Sequence, residues 1–135
     1  MAVWQADFTI HVVQPLPPDF AMRLDAVAPR SRPLLPQTLT WGTADGNRLD
    51  LYLEGGRACE ALLRLDLRNW DQSFLIGVLG LVQAWGCTLT TPDGRLVEPV
   101  LGEVALAVRG SPAFRFVEDP ERFFRRLQLG GLEDA

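Results

Sequence analysis

Lysine is missing altogether: all 13 basic residues of this 135-residue chain are arginine. That absence excludes a phosphate-loop lysine and a Schiff-base lysine. Cysteine occurs only at Cys59 and Cys87, too far apart for a Cys-x-x-Cys redox pair and too few for a four-thiolate zinc site. Both thiols are expected to be reduced and partly buried. Isoleucine (Ile10, Ile76) and asparagine (Asn47, Asn69) are scarce beside abundant Ala, Gly, Pro and Leu, a bias that points to a GC-rich bacterial genome and not to a function. No apolar run reaches the roughly 18–20 residues needed to cross a bilayer. Residues 1–14 lack the basic start and cleavage site of a signal peptide, so the expectation is a cytoplasmic chain without membrane contact.

The remaining composition is that of one globular domain over residues 1–135, with 47% hydrophobic and 22% charged residues. A net charge of −4 and a pI near 4.9 argue against nucleic acid and favour a basic protein partner.

Residues 3–13 alternate, with Ala6, Phe8, Ile10 and Val12 on one face and Asp7, Thr9 and His11 on the other, which predicts a half-buried strand. Residues 14–37 carry six prolines and read as a long surface connection; any helix there is confined to about 19–28, capped by Asp19 and stopped by Pro29. Ala44-Asp45-Gly46 predicts a tight hairpin between strands at 38–43 and 47–54, its Asp-Gly pair supplying a positive φ. In the second strand Leu49, Leu51 and Leu53 share one face and Asp50, Tyr52 and Glu54 the other. Gly55-Gly56 turns the chain again, and Leu63, Leu65 and Leu67 alternate with Arg64, Asp66 and Arg68 in a further strand.

Asp71 can cap a helix running to about Trp85 and stopped by Gly86, in which Gly77 and Gly80 require close approach of a neighbouring backbone. A short strand at 87–90, a Thr91-Pro92-Asp93-Gly94 turn, a helix at 100–109, a strand at 113–117 and a helix from Asp119 docked by Phe123, Phe124 and Leu127 complete the order, with 132–135 fraying. The expected class is α+β: an antiparallel or mixed sheet of about five to six strands with two to three helices mainly on one face.

No constellation for chemistry stands out. His11 is the only histidine, and Asp7 lies about 13 Å away along the same extended strand, beyond direct pairing. Cys59, Cys87, Ser73 and Ser111 have no recognisable nucleophile context, and the acidic residues are spread singly, so neither catalytic residue, metal nor cofactor is assigned. Gly55-Gly56 and Gly130-Gly131 lack the spacing of phosphate loops. The pattern with most potential for binding is the polar side of the sheet: Asp50, Tyr52, Glu54, Arg64, Asp66 and Arg68, with Trp70 at the strand-to-helix junction and Arg115 nearby. The plain alternative for these residues is a solvated face with cross-strand ion pairs.

From about Ala61 onward, the segments LRLDLRN, a helix ending Trp85-Gly86-Cys87, TPDG and SPAFRFVEDPERF resemble small stand-alone bacterial α+β proteins, some of which are immunity partners of secreted toxins. That resemblance implies a non-catalytic protein that blocks a toxin by surface complementarity. Two alternatives remain at this level: a small enzyme or ligand-binding domain using His11 with sheet arginines, and a homo-oligomeric subunit, a homodimer for instance, joined through the glycine-bearing helix.

Overall fold

A computed structural model describes residues 4–33 and 35–111 of the chain. Period-two alternation governs its sheet. Strand β1 (Gln5–His11) buries Ala6, Phe8 and Ile10 and leaves Asp7, Thr9 and His11 half-exposed. Helix α1 (Phe20–Asp25) and the two-residue strand β2 (Arg30–Ser31) follow, then β3 (Thr38–Gly42), β4 (Arg48–Glu54) and β5 (Arg57–Asp66). Helix α2 (Gln72–Ala84), β6 (Thr88–Thr90), β7 (Leu96–Val97) and helix α3 (Leu101–Arg109) complete the described elements.

The strands form one antiparallel sheet of seven in the order β2-β3-β4-β5-β1-β6-β7. This is the α+β class expected, with two strands the alternation could not announce. β2 and β7 are two residues long, too short to carry a period, and they stand at the two edges of the sheet formed by the described residues. The expected strand at 113–117 and the helix beyond it lie outside the described residues.

Residues 14–37 are more than the surface connection their prolines predict. α1 buries Leu24 to 3% exposure, and Arg30–Ser31 extends the sheet by pairing with Trp41 and Thr40. The Asp19 carboxylate is not a cap: it accepts from Arg23 Nε at 2.9 Å. α1 lies on the apolar side of the sheet, where Leu24 meets Leu49, Leu51 and Ala61 together with Val78 and Val82 of α2 around a gap of about 20 Å³, room for a single water at most. The polar side is therefore not covered by α1.

The first hairpin also departs from expectation. Its loop runs from Thr43 to Asn47, closed by Thr43 N–H donating to Asn47 O at 3.1 Å, and the left-handed residue is Gly42 (φ 99°), not Gly46. A Cβ at Gly42 would lie 2.2 Å from Asn47 O, so only glycine fits the strand end against the returning chain. Gly55 (φ 58°) and Gly56 (φ 79°) make the second hairpin turn as read from the sequence.

In α2 the Asp71 carboxylate accepts from Phe74 N–H at 3.0 Å, and Gly86 (φ 66°) ends the helix, both as expected. The two interior glycines part company. A Cβ at Gly77 would come within 2.7 Å of Val27 Cγ1, a side chain and not a backbone, whereas nothing lies within 4 Å of one at Gly80. α3 adds Val104, Ala105 and Val108 to the buried residues.

Candidate partner-binding face

The sheet's register assembles the polar face. Antiparallel pairing sets Arg48, Arg64 and Asp7 side by side, then Thr40, Asp50, Leu62, Thr9 and Thr90, then Thr38, Tyr52, Glu60, His11 and Thr88. Residues paired in this way project from the same side, away from the leucines of the core.

The first row places two arginines directly opposite each other, which repels unless each has its own anion. Arg48 Nε donates to Asp50 Oδ2 at 2.9 Å and Nη1 to Ala44 O at 2.8 Å. Arg64 grips Asp7 through Nε to Oδ1 at 2.9 Å and Nη2 to Oδ2 at 3.2 Å. The Asp7 hydrogen bonds hold the Arg64 guanidinium above its ordinary pKa and outweigh its partial burial, so it is a fixed cation. The second oxygen of Asp50 accepts from Thr40 Oγ1 at 2.7 Å, so both of its oxygens are engaged, and Arg48, Asp50 and Thr40 are all buried.

Tyr52 is half-buried; desolvation, with the Asp50 charge second, raises its phenol pKa and keeps the hydroxyl neutral. Glu60 is exposed beside it. His11 Nε2 lies 2.9 Å from Thr90 Oγ1, while Asp7 is spent on Arg64; the two do not pair, as their spacing predicts. An irregularity in the β4–β5 register, with Cys59 as the extra residue on β5, pairs Glu54 with Arg57 at the hairpin end.

Asp66 and Arg68 do not share the polar face on equal terms. Asp66 is buried, and its carboxylate accepts from Arg68 N–H at 2.9 Å. Its own N–H donates to Asn47 Oδ1 at 2.9 Å, while Asn47 Nδ2 donates to Asn69 O at 2.8 Å, tying the first hairpin loop to the turn after β5. Arg68 lies beyond the strand's end, 55% exposed, with its guanidinium 3.6 Å from the centre of the Trp4 ring. Trp70 is half-buried and packs against the core. Arg115 lies outside the described residues.

The residues read from the sequence thus divide between an interior network holding Asp50 and Asp66 and an outer set of Tyr52, Glu54, Arg64 and Arg68. Sequence reasoning missed Arg48, Trp4 and Glu60. Arg48 was within reach, because it stands two residues before Asp50 and must share its face; Trp4 under Arg68 was not, because their contact depends on β1 lying beside β5. Among the described residues no three His, Cys, Asp or Glu side chains converge as metal ligands, and no helix is long and apolar enough to cross a membrane. Compared with protein-family models, curated proteins and solved structures, the chain matches none.

Proposed function

We propose that the chain is a non-catalytic protein-binding protein, most concretely a cytoplasmic immunity protein that covers the active site of a bacterial toxin. The observation that carries this reading is the pose of Arg68. An exposed arginine usually loses about 2 kcal/mol of rotamer entropy when a partner immobilises it. Here the guanidinium lies 3.6 Å from the centre of the Trp4 ring, with its Nε 3.6 Å from Asp66 Oδ1, while more than half of the side chain stays open to solvent. A preorganised cation of this kind can take a carboxylate of a partner with two parallel hydrogen bonds at reduced entropic cost. Arg64, held by Asp7, along with Tyr52 and Glu60, would add polar contacts of both signs on the rigid sheet. The net charge of −4 favours a partner that is basic overall.

The test begins with capture of the tagged protein from its native cell. The protein recovered in near-stoichiometric amount is purified and its affinity for wild type, Arg68→Ala and Arg23→Ala is measured by calorimetry. Arg23 is an exposed control on α1, already paired with Asp19. Arg68→Ala should weaken binding at least ~10-fold, about 1.4 kcal/mol, and Arg23→Ala should leave it unchanged. Co-expression should also restore growth to cells poisoned by the captured protein. Equal survival with and without this chain rejects the immunity role, and equal affinity of Arg68→Ala and wild type rejects the proposed face.

A further inference from the structure

We infer that the β7 edge and the outer side of α3 form a two-fold interface between two copies of this chain. Leu96 of β7 is 72% exposed, Leu106 of α3 is 54% exposed, and Val100, just before α3, is 40% exposed. Leu96 and Leu106 line one concavity with Val97, Ala107, Arg95 and Glu103. β7 is also the last strand of the sheet, so no further described strand pairs with its outer edge.

Several apolar side chains at an edge with which no described strand pairs are the reverse of the charged, blunted edges by which single-chain proteins discourage association. The charges at this site say which partner fits. Arg95 and Glu103 border the same apolar concavity, and neither makes an ion pair with another described residue. In a two-fold interface residue i of one copy meets residue j of the other while j meets i. Arg95 acts on Asp93 only through its field, without an ion pair, so a patch holding this cation, the Glu103 anion and an apolar centre is complementary to itself: Arg95 of each copy faces Glu103 of the other, and Leu96 and Leu106 close the middle. A partner carrying charge of a single sign would satisfy only one of the two.

The arrangement predicts a species of twice the 15.0 kDa chain mass in sedimentation equilibrium as concentration rises. Leu96→Asp should raise the dimer dissociation constant at least ~10-fold without lowering the melting temperature of the monomer, because the side chain it replaces is exposed. Arg95→Glu and Glu103→Arg should each weaken self-association, and an equimolar mixture of the two should recover it as a heterodimer, since the exchanged charges then face their opposites. A single 15.0 kDa species at every concentration overturns the inference. So does a Leu96→Asp monomer that melts well below wild type, which would mean that the patch is filled within one chain. A mixture no tighter than either charge variant alone overturns the two-fold pairing of Arg95 with Glu103. None of these readouts depends on the proposed protein partner.

Discussion

Arg48 and Asp50 stand two apart on β4, and their ion pair shows what a buried charge needs. With side chains 9% and 10% exposed, each depends on the other and on one further hydrogen bond, from Thr40 to Asp50 and from Arg48 to Ala44. Asp50→Leu leaves the Arg48 guanidinium buried without its anion and should cost about 3–5 kcal/mol in chemical denaturation. Replacing both, Asp50→Leu with Arg48→Met, should cost less than Asp50→Leu alone, because no charge is then stranded. A double variant weaker than the single would show that the pair stabilises the fold beyond mere mutual compensation.

Asp25 acts at the same scale with a different readout. Its carboxylate accepts from Trp41 Nε1 at 2.8 Å and from Arg30 through two contacts of 3.0 Å, so one group joins the end of α1 to β2 and β3. The indole hydrogen bond first, and Arg30 second, lower its pKa from the ordinary 3.8. A lowered folded-state pKa stabilises the fold above the unfolded value and loses that stabilisation as pH falls through the folded one. The stability advantage of wild type over Asp25→Asn should therefore be present at pH 7 and shrink as pH falls below 3.8, as read from urea midpoints at the two pH values. An advantage that persists unchanged in acid would mean that the carboxylate's charge is not what binds these elements.

At the scale of the element, α2 separates two glycines that look alike in the sequence. Gly80 opens onto space, so Gly80→Ala should stabilise the protein by about 0.5–1 kcal/mol through backbone entropy alone. Gly77 faces Val27, and there the same change should forfeit that gain by forcing a methyl group into 2.7 Å contact. Adding Val27→Ala to Gly77→Ala should recover part of the loss, a coupling that thermal melts of the four proteins would measure. The Asp71 cap, the Gly86 stop and the Gly55-Gly56 turn were all legible, because each rests on the chemistry of neighbouring residues. The Gly42 requirement was not, because the obstruction is the carbonyl of Asn47 on the returning strand.

Across the whole molecule, charge sets how a partner would arrive. If an acidic chain of net charge −4 steers a basic partner, the association rate measured by stopped flow should fall as salt is raised while the dissociation rate changes little. A rate insensitive to salt would leave the affinity to local contacts such as Arg68 and remove the argument from net charge. The face itself was half legible at this scale. Alternation put Asp50, Tyr52 and Arg64 on the polar side, but the insertion of β1 between β5 and β6 decided that Arg64 would spend its charge on Asp7 and that Arg68 would lie on Trp4.

The sequence by itself determined the α+β class, the leucine side of the sheet, the cap and stop of α2, and the lack of any lysine or Cys-x-x-Cys pair, since each depends on composition or on residues a few positions apart. The strand order, the two short edge strands, the use of residues 14–37 as part of the fold, and the division of the charged residues into buried and open were decided only by the tertiary structure. Those features depend on which strands become neighbours. Pairings such as that of Asp7 with Arg64 close long loops, and no local spacing encodes them.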